Sequence, residues 1–312
     1  MRRAGLLLVV LVVGACGGGS KATFRNPVYA RDFPDPFVLK VGDAYYAYAT
    51  NADGQQVQTA TSTDLVRWRR GPDALRGNGR SFTGKTWAPE VLARADGTFV
   101  LYYTYALCVR RGVADHPLGP FVDRENQPLV CQTAEGGSID PSPFRDDDGA
   151  LYLVWKSDAN SFGGTTYLYA QRLSADGLRL IGRRVRLARS AAPWEAGIVE
   201  APQLWKEDGR YYLFFSGGPY DGDYYAVGYA TCTGPLGPCR DAPENPILKS
   251  ACRASGPGHQ TLIRVGGETW MLYHAWPAGS TVRKRMLWLD RLEWKDGKPD
   301  VIGPTCAREE AP

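Results

Sequence analysis

The sequence reads Asp35-Pro36-Phe37-Val38, turns at Gly42-Asp43, and continues as Tyr45-Tyr46-Ala47-Tyr48. An apolar run, a turn rich in Asp and Gly, and a second, aromatic-rich run are together typical of a β-hairpin. Four similar hairpins follow along the chain. They start at Ala88, Asp140, Ala201 and His259, and their turns contain Asp96-Gly97, Asp147-Asp148-Gly149, Asp208-Gly209 and Gly266-Gly267.

The spacing of these hairpins indicates the architecture. Successive copies start about 50 to 60 residues apart, which leaves room for several strands in each copy and is typical of propeller blades. An antiparallel sandwich is the alternative, but its hairpins need not return at such even intervals. No stretch shows a sustained helical period. We therefore expect an all-β, five-bladed β-propeller.

The end of the repeat region also has the pattern of strands. Residues 286–294 alternate apolar and polar side chains, and a Lys295-Asp296-Gly297-Lys298 turn follows them. Two interpretations are open: these strands complete the fifth blade, or they complete the first. Pairing of strands from both chain ends within one blade would remove an open sheet edge.

The N-terminus has the features of an export signal. Arg2 and Arg3 precede an apolar run, residues 6–13, which is shorter than the roughly 20 residues that span a bilayer. Gly14-Ala15 directly before Cys16 resembles a bacterial lipobox. We expect a signal peptide at 1–15, a lipidated Cys16 with a Gly/Ser tether at 16–25, and one catalytic domain at 26–312. A plain secretory signal cut near Ala15 is the alternative.

Composition restricts the partners. The 312 residues carry a formal net charge of only +4 and no Lys/Arg tract, so we do not expect nucleic-acid binding. We expect an exported, monomeric protein held by its lipid on the outer face of a bacterial membrane.

The remaining six cysteines suit an exported chain, because an even number of cysteines outside the cytoplasm suggests disulfides. Several pairings are possible. We favour Cys108 with Cys131, Cys232 with Cys239, and Cys252 with Cys306. No Cys-x-x-Cys pair occurs, which argues against a zinc or redox site.

Polar residues stand at the start of each repeat: Asp35, Glu90, Asp140, Glu200 and His259. In a propeller the first strands line the central channel, so we expect these side chains at equivalent positions, converging on one face. Crowded carboxylates titrate apart, as acid–base catalysis requires. The alternative is that each carboxylate only accepts backbone hydrogen bonds where its strand begins.

The ordered set of repeat starts resembles glycoside hydrolase family 43 over about Asn26 to Val301. The motifs are Phe33-Pro34-Asp35-Pro36, Trp87-Ala88-Pro89-Glu90, Ser138-Ile139-Asp140-Pro141-Ser142, Val199-Glu200-Ala201-Pro202 and Gly256-Pro257-Gly258-His259. The resemblance implies a five-bladed propeller that hydrolyses arabinose- or xylose-containing polysaccharides with inversion. It implies Asp35 as the general base, Glu200 as the general acid, and Asp140 as the carboxylate that tunes and orients that acid. Inversion needs two carboxyl groups roughly 6.5–9.5 Å apart, which different blades can supply.

The resemblance also implies less direct roles. Trp87 would be an aromatic platform for a sugar face, although a tryptophan packed between blades is the alternative. Phe33 would form a wall of the same pocket. Arg285 would contact the substrate and the carboxylates, but its neighbours Arg283 and Lys284 leave open which of the three basic residues does so. His259 would bind a calcium ion in the channel, directly or through water. A solvated polar histidine is the alternative, since one imidazole is a poor calcium site. Glu90 receives no catalytic role, and the chemistry requires no cofactor.

The expected substrate is an arabinose-containing polymer or oligosaccharide of the plant cell wall, and the expected activity is that of an α-L-arabinofuranosidase. The chain given ends at Pro312, soon after the propeller, whereas family β-xylosidases often carry a further β-sandwich; this favours arabinose over xylose. An endo-α-1,5-L-arabinanase and a β-xylosidase are the alternatives within the enzyme class. A non-catalytic carbohydrate-binding propeller is the alternative from another class. The loops expected to shape the site are 105–138, 159–166 and 217–224.

Overall fold

A computed structural model describes residues 22–75, 85–281 and 283–312. Its strands form five antiparallel sheets, each built in chain order, and a two-stranded ribbon. The first sheet, or blade, contains β2 (Phe37–Val41), β3 (Ala44–Ala49), β4 (Gln58–Ser62) and β5 (Arg69–Arg70). The second contains β6 (Thr86–Ala93), β7 (Phe99–Tyr105) and β8 (Cys108–Ala114).

The other three blades each have four strands. Blade 3 contains β9 (Ser138–Arg145), β10 (Leu151–Ser157), β11 (Tyr167–Leu173) and β12 (Leu180–Arg189). Blade 4 contains β13 (Val199–Glu207), β14 (Arg210–Gly217), β15 (Ala226–Cys232) and β16 (Cys239–Asp241). Blade 5 contains β17 (Ala254–Val265), β18 (Glu268–Pro277), β19 (Met286–Lys295) and β20 (Lys298–Ile302).

The five predicted hairpins are the first two strands of the five blades, and the expected turns connect them. The first strands β2, β6, β9, β13 and β17 contact one another in that order, and β17 contacts β2. This closed ring makes the molecule a five-bladed β-propeller, as predicted. Helical structure in the described ranges is limited to 3₁₀ turns at Thr133–Glu135, Ala159–Phe162 and Pro193–Glu195.

The apolar core is divided among the blade interfaces. One cluster lies between each pair of neighbouring blades, because each sheet has apolar side chains on both faces. Tyr212 and Phe214 of blade 4, for example, pack with Met271 and Tyr273 of blade 5. A single blade therefore cannot bury its own faces, and the fold requires the complete ring.

The chain ends meet beside blade 5. Strands β19 and β20 complete the fifth blade, which decides between the two interpretations of the tail. A separate ribbon pairs β1 (Thr23–Phe24) with β21 (Glu309–Glu310). Phe24 is buried in the core, so this residue is not part of a flexible tether, although the tether was predicted for 16–25. The predicted signal peptide and Cys16 lie outside the described residues.

The three disulfides join Cys108 to Cys131, Cys232 to Cys239 and Cys252 to Cys306. These are the pairings favoured from the sequence. In the described ranges, no helix is long and apolar enough to cross a membrane.

Candidate active site

A cavity of about 410 Å³ opens where the first strands begin. Its polar lining comes from all five blades. The side chains that line it include Asp35, Thr50, Trp87, Asp140, Lys156, Asp158, Glu200, Tyr220, His259 and Arg285.

A backbone irregularity brings these side chains to the cavity. One residue at the start of each blade has a left-handed φ: 55° at Asp35, 44° at Ala88, 54° at Asp140, 51° at Ala201 and 52° at His259. The strand register shifts at this point in β6, β9, β13 and β17. Such bulges re-aim the neighbouring side chains.

These five residues, and not the five predicted polar residues, are equivalent. Glu200 lies one residue before its bulge residue, Ala201, and Glu90 lies two residues after Ala88. The expectation that four carboxylates and His259 share one position was therefore wrong for Glu90 and Glu200. A bulge changes which side of the strand a side chain faces. The five hairpin starts read from the sequence are the bulge residues, so the error lay in taking Glu90 and Glu200 as the residues at two of those starts.

Each bulge N–H bonds to a polar group of another blade. Ala88 N–H donates to Thr50 Oγ1 at 2.8 Å, Asp140 N–H to Thr104 Oγ1 at 3.2 Å, and His259 N–H to Ser216 Oγ at 2.8 Å. Asp35 N–H donates to His274 Nδ1 at 3.0 Å, which links blade 5 to blade 1. The fifth N–H, of Ala201, instead donates to Asp140 Oδ2 at 2.9 Å.

Asp35 is surrounded by donors. Its Oδ1 accepts a hydrogen bond from Arg285 Nη1 at 2.9 Å, and its Oδ2 accepts one from Thr50. His259 Nδ1 and His274 Nδ1 each lie 3.4 Å from Oδ1. Burial alone would raise the pKa of Asp35, but the Arg285 charge, His259 and the Thr50 hydrogen bond outweigh it and hold that pKa well below its usual range. Asp35 is therefore an ionised carboxylate.

His274 is a neutral neighbour of Asp35. Complete burial, reinforced by the Arg285 charge, lowers the pKa of His274 well below its usual value. Because Nδ1 accepts the Asp35 N–H, the imidazole proton resides on Nε2. His274 thus fixes the backbone that carries Asp35 without adding a charge.

Asp140 has the opposite electrostatic character. Burial, with a smaller contribution from the Glu200 charge, raises the pKa of Asp140 to about 6, although His259 and Lys156 oppose the shift. The same cavity therefore contains an ionised aspartate and one that takes up a proton near neutral pH. Titratable groups with divergent pKa values are typical of acid–base sites.

Glu200 is held through both carboxylate oxygens. Lys156 Nζ donates to Oε2 at 2.8 Å, and the Tyr225 hydroxyl donates to Oε1 at 2.7 Å. The Ala201 N–H bond to Asp140 fixes the backbone beside it. Lys156 and Tyr225 were not predicted from the sequence. The signal that could have identified Lys156 is its place directly after the apolar run 151–155, inside a strand that had to be buried.

Arg285 and Trp87 line the cavity as predicted, and the register among the three basic residues is settled, since Arg285 bonds Asp35. Phe33 does not line it. Its side chain is only 1% exposed and packs edge-on against Tyr29, with ring centroids 5.4 Å apart. The prediction for Phe33 was wrong because the residue closes the core between blades 1 and 5.

Glu90 lies outside the cavity lining, in agreement with its lack of a predicted role. Burial raises the pKa of Glu90 well above its usual value, and a hydrogen bond from Ser142 only partly opposes this. Its Oε2 is buried and has no hydrogen-bond partner in the described ranges.

His259 lines the cavity but does not form a metal site with its neighbours. Among the described residues, no group of three or more His, Cys, Asp or Glu side chains could hold a metal ion. The nearest carboxylate, Asp35, is already bonded by Arg285 and Thr50. A calcium ion prefers six to eight oxygen ligands, so these side chains do not form a direct calcium site, and the calcium predicted at His259 through water stays a prediction.

Comparison with known proteins decides the family. The sequence model described as "Glycosyl hydrolases family 43" matches residues 24–299. The chain belongs to glycosyl hydrolase family 43. Members of this family are inverting hydrolases of O-glycosyl bonds, and their catalysis needs no cofactor.

Several known proteins are similar to the chain over most of its length. A solved structure of a thermostable family-43 glycoside hydrolase superimposes with a TM-score of 0.84 at 31% identity, covering 93% of this chain and 99% of that one. A xylan 1,3-β-xylosidase of a Vibrio species is 31% identical, over 81% of this chain and 49% of its own. A β-D-galactofuranosidase of Aspergillus niger is 26% identical, over 87% and 82%.

The chain spans about half the length of several xylosidases that it matches, among them the Vibrio enzyme and a β-xylosidase of Bacillus subtilis, of which it covers 56%. An extracellular exo-α-(1→5)-L-arabinofuranosidase of Cellvibrio japonicus is 26% identical over 86% of both chains. Membership of family 43 therefore leaves the sugar specificity open.

Proposed function

We propose that this family 43 enzyme is an exo-acting α-L-arabinofuranosidase, with Asp35 as base and Glu200 as acid. The observation that carries the proposal is that these two carboxylates, from blades 1 and 4, line one cavity. Separate blades leave room between the carboxylates for a sugar and the water that attacks it, which inversion requires.

The surroundings of each carboxylate support its role. A base must be ionised, and the donors around Asp35 keep it so. Glu200 has Asp140 beside its backbone and Lys156 at its carboxylate, so its orientation is fixed from two sides. Because its pKa is raised, Asp140 can carry a proton close to the general acid Glu200.

The walls of the cavity support exo action. Arg285 stacks over the Tyr220 ring at 4.9 Å, and Trp276 Nε1–H donates to the Tyr220 carbonyl at 3.1 Å. Trp87 lines the cavity from blade 2, and Asp158 lines it from blade 3. Walls on several sides suit one terminal sugar better than a long chain passing through.

The preference for arabinofuranose is drawn from two relatives. The Aspergillus galactofuranosidase and the Cellvibrio arabinofuranosidase are each matched over more than four-fifths of both chains. Both names specify furanosides, and β-D-galactofuranose has the ring stereochemistry of α-L-arabinofuranose. The 31% identity to the Vibrio enzyme makes β-xylosidase the second candidate.

A substrate panel tests the specificity. The purified enzyme is assayed on aryl α-L-arabinofuranoside, β-D-galactofuranoside and β-D-xylopyranoside, and on linear arabinan and arabinoxylan. We expect the highest kcat/KM on the arabinofuranoside, single arabinose units from arabinan, and inverted anomeric configuration by NMR. Higher kcat/KM on the xyloside would establish the second candidate, and release of oligosaccharides would establish an endo-arabinanase. Binding without any hydrolysis would establish a carbohydrate-binding propeller.

Two substitutions test the assigned roles. Glu200→Gln should reduce hydrolysis of unactivated substrates by about 10²- to 10⁴-fold and spare aryl substrates with good leaving groups. Asp35→Asn should abolish both, because no water is activated. Near-normal turnover of arabino-oligosaccharide by Glu200→Gln, or of the aryl substrate by Asp35→Asn, would contradict the assignment.

We also propose export and lipid anchoring through Cys16, for a monomer that acts on plant cell-wall polymers. The Gly14-Ala15-Cys16 sequence and three disulfides support an oxidising location. In a bacterial host, the full chain should partition with membranes and Cys16→Ala should not. Sedimentation velocity of the released protein checks the monomer.

A further inference from the structure

Lys156 is a buried cation inside the cavity. Its side chain is 1% exposed, and its Nζ lies 2.8 Å from Glu200 Oε2 and 3.3 Å from Asp158 Oδ1. Burial disfavours its charge, but the carboxylates of Glu200, Asp140 and Asp158 outweigh burial and raise the pKa of Lys156. The lysine therefore remains protonated and depends on its acidic neighbours.

Lys156 stands where the other four blades have a side chain that accepts a hydrogen bond. At the end of the second strand, the other blades place Thr50, Thr104, Ser216 and His274, each of which accepts the bulge N–H of another blade. A protonated lysine has no lone pair with which to accept. The Ala201 N–H donates to Asp140 instead, and Lys156 is free to bond Glu200.

This arrangement gives Lys156 two alternative partners. While Glu200 is ionised, its oxygens accept from Lys156 and Tyr225. A Glu200 protonated on Oε2 can no longer accept there as a carboxylate does, and the lysine charge then needs another anion. Asp158 lies within reach on the same blade and fills that need.

We propose that Lys156 is a positioning residue for the general acid Glu200, and that Asp158 takes over its charge when Glu200 carries the proton. The inference rests on the proposed role of Glu200. The charged or titratable groups that face this trio are Tyr225, beside Glu200, and Asp140, which in turn faces His259 and Asp35.

Substitutions of Lys156 and of Asp158 should shift the pH dependence in opposite directions. The alkaline limb of kcat/KM reports loss of the protonated acid. Lys156→Met removes a cation from the carboxylates, so this limb should move to higher pH by about 1 to 3 units. Asp158→Asn leaves Glu200 as the main partner of Lys156, so the limb should move to lower pH.

The leaving group gives a second measure. Because Lys156 acts through the acid, Lys156→Met should reduce kcat/KM about 10- to 100-fold on a substrate with a poor leaving group and much less on a dinitrophenyl glycoside. Lys156→Arg should restore part of the loss. Lys206→Met is the matched control. Like Lys156, Lys206 pairs with two carboxylates, here those of two aspartates at 2.7 and 2.9 Å, but it lies outside the cavity lining.

The proposal is overturned if neither variant moves the alkaline limb, if both move it in one direction, or if Lys156→Met reduces both substrates equally. If Lys156→Met does not fold, the shift in Asp158→Asn decides. The Glu200→Gln variant separates failure of this inference from failure of the proposed function. If Glu200→Gln keeps activity on the substrate with the poor leaving group, Glu200 is not the acid. If it loses that activity while Lys156→Met does not, only the role of Lys156 fails.

Discussion

At the scale of single residues, the cavity separates two aspartates by their partners. Asp35 is next to Arg285, His259 and His274, and the pKa of Asp35 is held low despite burial. Asp140 is buried beside another carboxylate, Glu200, and the pKa of Asp140 rises to about 6. One residue type thus provides a permanent anion and a group that titrates near neutrality, because the fold surrounds each with different charges.

Arg285 should set the acidic limb of the activity profile. Asp35 must be ionised to act as base, so activity rises with pH through the pKa of Asp35. Arg285 lowers that pKa, and Arg285→Gln should raise it and move the acidic limb of kcat/KM to higher pH by about 1 to 3 units. Activity should therefore fall more at pH values within the shifted limb, near the ordinary aspartate pKa, than at pH 8.

Arg285→Lys is the control, because it keeps the charge. It should leave the acidic limb near its original position even where kcat/KM decreases through lost geometry. A profile of Arg285→Gln that decreases uniformly at all pH values would show that Arg285 does not act through Asp35.

At the scale of strands, the bulge at the start of each blade has two effects. It turns site residues into the cavity, and it releases one backbone N–H from the sheet ladder. That N–H bonds to a side chain of another blade, which aligns the blades at the channel. The site residues therefore lie on strands whose relative position is fixed by hydrogen bonds.

Thr104→Val tests the contribution of one such bond. The substitution keeps the side-chain shape and leaves the Asp140 N–H without its acceptor in a buried place, which should lower the free energy of unfolding by about 1–3 kcal/mol. Denaturant unfolding measures the change. Thr231→Val, on an exposed face of β15, should stay within about 0.5 kcal/mol of the parent. Equal effects of the two substitutions would contradict a structural role for the bond.

At the scale of the whole molecule, stability depends on closing the ring. Apolar clusters lie at all five blade interfaces, including the one between the first and last blades. The chain ends secure that closure through the β1–β21 ribbon and through the Asn26 side chain, which donates to the Leu289 carbonyl at 2.8 Å. The Cys252–Cys306 disulfide further attaches the tail to blade 5.

The disulfides should therefore contribute unequally. Cys252 and Cys306 are separated by 54 positions, and Cys232 and Cys239 by 7. Chain-entropy arguments give about 4 kcal/mol for the longer loop and about 2 kcal/mol for the shorter one. Replacing each pair by alanine and measuring guanidinium unfolding should show the larger loss for Cys252/Cys306. A larger loss for Cys232/Cys239 would contradict this ranking.

The sequence by itself determined the repeat, the hairpins, the five blades and most of the candidate site. Regular alternation and turn residues are local signals, and five copies of them leave one way to bury all faces. Asp35, Asp140, Glu200, Trp87 and His259 were identified because they stand at or beside repeat motifs, and Arg285 was identified from the family resemblance. All of them line the cavity.

Only the tertiary structure decided which positions are equivalent and what surrounds them. Glu200 lies one residue before its bulge residue and Glu90 lies two residues after its own, and only the structure shows that the first lines the cavity while the second does not. Phe33 lies in the core because blade 5 packs against it. Lys156 and His274 reach the site from second strands, and Tyr225 reaches it from the residue before a third strand. Their contacts with Glu200 and Asp35 join residues far apart in the chain. Such contacts exist only once the ring is closed.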